Sequence, residues 1–321
     1  MKILLNSAFL LVLGLIAVSS TEAAETYAEK LGWPAGTRLL ILHVDDAGMS
    51  AETNTGTIAA IEQGAANSLS VMMPTPWVPQ IVRYLKANPE VDAGLHLTLN
   101  AEWHDYRWGP LAGKPAVPGL VDAEGAMWAS VEEVAKHASP KEVAREIAAQ
   151  LERARTMGFE PTHLDSHMGT LFARPDYLAE YIKLGATNQI PVMFPGGHNF
   201  YARQDYGARA GDEALEAGRQ LWGMGLPVLD DLHNASYGWA RGDKVAKYVE
   251  AIRGLKPGVT MMIMHCTAID VHFKLISDSG PSRFGDLEAM LAPEVAAAIA
   301  EENIVMTTWR ELMERRRAIG D

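Results

Sequence analysis

Leu39-Leu40-Ile41-Leu42-His43-Val44-Asp45-Asp46-Ala47-Gly48 is the stretch on which the fold turns. Its first half is apolar without alternation, as in a strand covered on both faces, and its polar residues gather at the C-terminal end. Strands of that kind belong to parallel sheets clothed by helices.

The rest of the chain repeats the pattern. Further strands are expected at Leu69–Met73, Val91–Leu99, Thr162–Ser166, Ile190–Phe194, Leu226–Asp230, Thr260–Cys266 and Ile304–Thr308. Helices are expected between them, around residues 55–62, 78–87, 140–157, 175–184, 212–222, 244–254 and 293–301. Ser139 before Pro140 reads as an N-cap with proline in the first turn, and Gly158, Gly185 and Gly254 as helix stops.

Histidines and aspartates fall at the C-terminal ends of four separate strands: Asp45 and Asp46, His96, Asp165 and His167, and His265. A barrel gathers such ends around one mouth, whereas an open sheet concentrates its site at a switch point. The expectation is an α/β fold, a TIM-like (β/α) barrel of seven to eight mostly parallel strands, as one domain over residues 31–321. No GxGxxG follows the first strand and no GxxxxGK[ST] occurs, so dinucleotide and nucleoside triphosphate sites lack support.

Composition narrows the function. The 321 residues carry 28 Lys and Arg against 40 Asp and Glu, a formal net charge of −12, which disfavours nucleic acid and anionic membrane surfaces. Cys266 is the one cysteine, so an intrachain disulfide or a thiolate metal centre is excluded and any metal falls to His, Asp or Glu. Residues 1–23 combine Lys2, an apolar run from Ile3 to Val18, and Thr21 and Ala23 at −3 and −1, the pattern of a cleaved signal peptide. An exported, periplasmic or extracellular protein is expected, with no stable membrane insertion after cleavage.

In the Asp45-Asp46 pair one carboxylate can bind a cation while the other serves as base for an attacking water, with Gly48 allowing a tight turn beneath them. Period two aims them in different directions. His96, within Gly94-Leu95-His96-Leu97-Thr98-Leu99, needs a partner in a buried strand, and a metal is one. Period two puts His163, Asp165 and His167 on one face. In an extended strand the two histidines lie about 13 Å apart. His167, nearer the mouth, is therefore the better ligand, and His163 or Asp165 the residue that orients an imidazole or the base. His265, ending Met261-Met262-Ile263-Met264, suits a general acid. Trp103, Tyr106, Arg107 and Trp108, in an insertion after the third strand, suit stacking and hydrogen bonding to sugar rings, or a self-packed lid. Asp230, Asp231, His233 and His198 are weaker mouth candidates, His43 is expected to lie under the site, and His137 and His272 have no supporting constellation.

His-Val-Asp-Asp-Ala-Gly at 43–48, Gly-Leu-His-Leu-Thr-Leu at 94–99 and His-Leu-Asp-Ser-His at 163–167 together resemble the YdjC-like carbohydrate deacetylases, which include chitooligosaccharide and hopanoid-sugar deacetylases. The resemblance implies an irregular (β/α) barrel that removes acetyl groups from N-acetylated sugars or oligosaccharides with one divalent metal. It assigns Asp46, His96 and His167 as ligands, Asp45 as base and His265 as candidate acid. The donor set favours Zn²⁺ over Mg²⁺, with Co²⁺ also suitable. This chain departs from the family pattern at His43, Ala47 and Met168-Gly169-Thr170. Two other readings are a glycoside hydrolase using Asp45 and Asp165, and a secreted, non-catalytic sugar-binding protein.

Overall fold

The computed structural model describes residues 25–206 and 208–320. The expected signal segment, residues 1–23, lies outside the described residues. Among these, the strands are β1 (Arg38–Ala47), β2 (Ser68–Val71), β3 (Asp92–Leu97), β4 (Leu164–Ser166), β5 (Asp231–His233), β6 (Gly258–Met264) and β7 (Val305–Met306). The helices are α1 (Tyr27–Lys30), α2 (Ala51–Glu62), α3 (Val78–Ala87), α4 (Val131–His137), α5 (Pro140–Thr156) and α6 (Pro175–Asn188). They continue with α7 (Phe200–Tyr206), α8 (Ala208–Gly223), α9 (Lys244–Arg253), α10 (Gly280–Leu291), α11 (Pro293–Glu301) and α12 (Trp309–Ile319).

Every strand pairing is parallel, in the order β4-β3-β2-β1-β6-β5. β7 pairs with Leu39 and Leu40, on the edge of β1 that β2 takes from His43 onward. Isolated parallel bridges, Leu164 to Val192 and Pro195 to Leu229, carry the wall from β4 round towards β5. The result is the expected (β/α) barrel, and its irregularity sits at those bridges.

The apolar run of β1 divides by parity. Leu39 and Ile41 join Val259, Met261 and Trp309 in the barrel interior, while Leu40, Leu42 and Val44 join the larger core shared with the surrounding helices. One strand thus serves two cores, which is why it reads as apolar without alternation. Ser139 forms the capping box of α5 with Glu142.

Three expectations need correction. Residues 190–194 make one bridge, at Val192, rather than a strand. The sixth strand runs over Asp231–His233 rather than residues 226–230, which contribute a single bridge at Leu229, and the Asp230 carboxylate accepts from the N–H groups of Tyr27, Ala28 and Val259 at 2.9, 3.2 and 2.9 Å. Those bonds seat α1 on the barrel just ahead of residue 31. Finally, α6 runs past Gly185, whose missing Cβ makes room for Val192; an added Cβ would lie 2.3 Å from Val192 Cγ1.

Candidate active site

The strand that decides the fold also builds the site, through a distortion. Pairing of β1 with β2 shifts register between Val44 and Ala47, and Asp46 takes the left-handed conformation at φ 66°. Period two would send adjacent carboxylates to opposite faces, and this bulge brings both to the mouth instead. Holding an aspartate there costs about 1–3 kcal/mol, which the surroundings must over-determine. Gly48 follows at φ 93°, its N–H donating to Asn54 Oδ1 at 2.6 Å and its carbonyl accepting from Thr75 Oγ1 at 2.6 Å and Trp77 N at 3.0 Å.

Asp46, His96 and His167 converge. Asp46 Oδ1 lies 3.3 Å from His96 Nε2 and 3.2 Å from His167 Nδ1. Each imidazole is fixed from behind by a carboxylate: His96 Nδ1 is 2.8 Å from Asp165 Oδ1, and His167 Nε2 is 3.0 Å from Glu102 Oε2. The other oxygen of Asp46, Oδ2, accepts from Arg283 Nη1 at 2.7 Å, and that guanidinium is buried at 2% exposure. Asp46 Oδ1 is buried without a hydrogen bond of good geometry.

This donor set fits a divalent ion. The three donor atoms lie within 4.8 Å of one another, and the two measured separations approach the ~3.4 Å between ligands of a tetrahedral ion with bonds of ~2.1 Å. Charge agrees. Burial pushes the Asp46 carboxyl up, but Arg283, then His167 and His96, hold it well below the usual range. Burial opposes protonation of His167 and His96 as well. Glu102 and Asp46 nonetheless lift His167 to about 9, and Asp45 and Asp165 lift His96 well above its ordinary value. A field that holds protons on two buried imidazoles holds a cation equally well.

Asp45 stands beside the triad, its Oδ2 3.8 Å from His96 Nε2 and 3.9 Å from His265 Nε2. His43, beneath it as expected, has Nε2 2.9 Å from Asp165 Oδ2 and 3.1 Å from Asp45 Oδ1. Its Nδ1 meets Ser68 Oγ at 2.9 Å, and that hydroxyl donates to Asp92 Oδ2 at 2.8 Å. Since the serine proton is committed to Asp92, His43 is the donor to Ser68. Burial pushes the His43 pKa down, but Asp165 and Asp45 outweigh it and raise it to about 9. The pair of carboxylates is thus held by a cationic imidazole. His265 faces the mouth with its backbone N–H donating to Asp286 Oδ2 at 3.0 Å, and burial lowers its pKa. Asp45, Asp46, His96, His167, His265 and Arg283 together line one end of a cavity of about 870 Å³.

Other candidates lie elsewhere. Asp165 buttresses His96 and His43 from behind and is absent from the cavity wall. His163 lies 3.9 Å from Asp165 but orients no ligand directly: it stacks on Trp309 at 5.3 Å and meets His43 edge-on at 5.0 Å. The insertion is a self-packed lid. Trp103, Tyr106 and Trp108 contact one another over Met49, Met72 and Phe273; the Tyr106 hydroxyl donates to the Met49 carbonyl, and Arg107 is tied to Asp122 at 2.7 Å and the Met127 carbonyl at 2.6 Å. Trp103 lies under the Arg283 guanidinium at 5.8 Å. Asp230 caps backbone amides, Asp231 accepts from Tyr201 N at 3.0 Å, and His233 packs against Tyr201 and Trp239. His198 meets the Pro257 carbonyl at 3.1 Å, His137 stacks on Trp128, and His272 is exposed beside Asp270.

Sequence reasoning missed Glu102, Arg283 and Tyr237, whose ring meets His265 at 4.8 Å. Glu102 could have been found from its place just past the His96 strand. Arg283 lies in a helix with no sequence feature that marks it.

Comparison with known proteins agrees with this architecture. A carbohydrate deacetylase of Thermus thermophilus is 29% identical over 301 residues, spanning 89% of this chain and 97% of that protein. A chitooligosaccharide deacetylase of Serratia marcescens is 25% identical over 281 residues, spanning 86% and 99%. Among solved structures, a putative cellobiose-phosphate cleavage protein of Enterococcus faecalis V583 shares the fold with a TM-score of 0.73 at 21% identity, over 86% of this chain and 99% of that one. Residues 39–301 match the family described as YdjC-like protein, and the chain belongs to that family.

Proposed function

We propose that this protein is a divalent-metal-dependent carbohydrate deacetylase that hydrolyses the amide of N-acetylated amino sugars. The observation that carries the reading is the convergence of Asp46, His96 and His167 beside the free edge of Asp45, within a family whose similar members are named for that activity. An ion held by the three residues would polarise the amide carbonyl and make water more acidic, and the all-N/O set favours Zn²⁺, with Co²⁺ and Mg²⁺ as alternatives.

The chain's own groups do the rest. Asp45 takes the proton of the attacking water, held in place by His43 Nε2 at 3.1 Å. Arg283 occupies Asp46 Oδ2, leaving Oδ1 as the oxygen that would hold an ion. Asp165 and Glu102 fix which nitrogen of each ligand imidazole faces inward. His265 Nε2, 3.9 Å from Asp45 Oδ2, delivers a proton to the leaving amine. Its lowered pKa makes it neutral at rest near pH 7, so it must first receive the proton it gives.

A glycosidase would need Asp45 and Asp165 on either side of a sugar bond, and Asp165 is instead committed to His43 and His96. Metal-loaded protein incubated with N-acetylglucosamine oligomers tests the choice. Acetate with no new reducing ends is expected; reducing ends without acetate would replace the reading, and saturable binding without turnover would favour a sugar-binding protein. The apolar segment at residues 1–23 supports export, which fractionation of tagged protein would test.

A further inference from the structure

Beyond the polar centre the cavity changes character. Its remaining wall is mostly apolar, with Phe172, Leu178, Met193, Ala214, Ala217 and Ile263 among its side chains. The apolar surface begins beside the reacting groups: Ile263 is the register partner of His43, two residues before His265 on the same face of β6. Helix α8 supplies the far side, seated against the turn after Pro195 where Gly218 meets Gly196 so closely that a Cβ on Gly196 would lie 2.5 Å from Gly218 Cα. Asn199, fully buried at φ 55°, lines the same cavity, and both ends of its amide lack a partner among the described residues.

An acetyl methyl fills a small part of about 870 Å³. Ser166, Asn199, Glu213, Asn234 and Tyr237 are the polar residues of this part of the lining, and a sugar pressed against the apolar stretches between them would lose the water on its hydroxyls with little to replace it. An aliphatic chain loses nothing there. A buried amide without a partner marks a place for one polar group of a ligand.

Resting on the hydrolase reading above, we infer that the cavity is an acyl pocket and that the preferred substrate is an amino sugar whose N-acyl chain is longer than acetyl. The chain runs from the scissile carbonyl between β6 and α8, with one hydroxyl or carbonyl along it meeting Asn199, while the sugar stays at the open mouth beside Tyr237. Hydrolysis then adds the water oxygen to the acyl carbon and breaks the C–N bond. One water proton goes to the sugar amine as the bond breaks. The second leaves as the new acid ionises and is taken up by the free amine or solvent, and a medium-chain carboxylate is released.

Binding tests this apart from turnover. Metal-loaded Asp45→Asn protein is titrated calorimetrically with glucosamine carrying N-acetyl, N-butanoyl or N-octanoyl groups, and with the octyl glycoside of N-acetylglucosamine. Affinity should rise about threefold to fourfold per methylene buried in the N-acyl series. Ala217→Phe should abolish that rise at unchanged metal content, and Ala214→Leu should blunt it should the larger substitution fail to fold. Equal affinity along the N-acyl series, or a gain confined to the octyl glycoside, overturns the inference. Flat binding with acetate release by the wild type leaves the deacetylase reading standing. Chain-dependent binding with no carboxylate released from any of these substrates keeps the chain site and removes the hydrolytic reading.

Discussion

The two sides of the barrel mouth are built on different principles. On the β1–β4 side, His43, Asp45, Asp46, His96, Asp165, His167 and Glu102 form a continuous network in which most polar atoms have partners within about 3.3 Å. On the β5–β6 side, Leu232 and Ile263 face an open chamber. A group that must hold an ion or move a proton has to be fixed by neighbours, because the buried charge is otherwise ruinous. A wall that only has to fit a shape needs no such support. Substitutions on the first side, and at His265 where β6 ends, should therefore act on metal and rate, and those at the apolar residues of the second on substrate choice.

The largest effect separates the adjacent aspartates. Asp46→Ala should empty the metal site by elemental analysis and reduce activity to background, since two imidazoles remain. Asp45→Asn should keep its metal and lose roughly 10²–10⁴ in rate, the contribution of a general base. An empty Asp45→Asn beside a loaded, active Asp46→Ala would exchange the two roles.

Next comes Arg283→Met, which strips a buried carboxylate of its cation. Loss of one partner of a buried pair costs about 3–5 kcal/mol. Urea denaturation should show that loss in metal-free protein and a smaller one with saturating Zn²⁺, because a bound divalent ion replaces the missing charge and stabilises by mass action. Equal losses in both states would mean that Asp46 does not face the ion.

These variants also mark what the sequence could and could not reveal. The apolar residues of Leu39–Val44 and the spread of polar residues over several strand ends were enough for a barrel, and the family resemblance named three residues, Asp46, His96 and His167, that the fold brings together. Strand ends were less legible. Whether residues 190–194 form a strand or a single bridge is decided by neighbours distant in sequence, and Asp230 looks like a mouth residue until Tyr27 and Ala28 are seen to claim it. The bulge at Asp46 overrides period two through tertiary packing. Arg283 was invisible for a similar reason, since it crosses 237 residues to reach its partner. The insertion stayed ambiguous because aromatic residues at a mouth look alike whether they meet a ligand or each other.

Histidine titration contrasts the ion network with the packing around it. In metal-free protein His43 and His167 have pKa values raised to about 9, so the folded state binds protons that the unfolded state releases above about 6.5. Their contribution is complete below about pH 6.5 and lost as the pH rises through about 9, on the order of 3 kcal/mol each. His163 acts in reverse. Burial and the neighbouring His43 hold it down to about 4, so stability falls as the pH drops below about 6.5 and the unfolded chain alone takes up the proton. Denaturation of metal-free protein should thus be hardest near pH 6.5, with an alkaline decline that shrinks when metal replaces the proton on His167. An alkaline limb unchanged by metal would remove His167 from the ligands.

A smaller effect is expected behind His167. Glu102→Gln keeps the shape and removes the carboxylate that orients the ring, so metal affinity should fall about 10–100-fold. Ile263→Val, across the mouth, should leave it unchanged. If Ile263→Val weakens metal as much as Glu102→Gln does, the two sides are not independent.

The smallest effect belongs to Arg107, a sugar contact by sequence and a strut by structure. Its guanidinium lies among Asp122, Glu124 and the Met127 carbonyl, and its side chain is 19% exposed. Arg107→Gln should therefore cost about 1 kcal/mol, the size of a hydrogen bond to a charged group in a partly solvated place. KM should stay within about twofold, because a shift in binding below about 0.4 kcal/mol is all that a slightly looser lid requires. A tenfold rise in KM with unchanged thermal stability would return Arg107 to the substrate. It would also extend the polar side of the mouth into the insertion, where the aromatic cluster now forms its boundary.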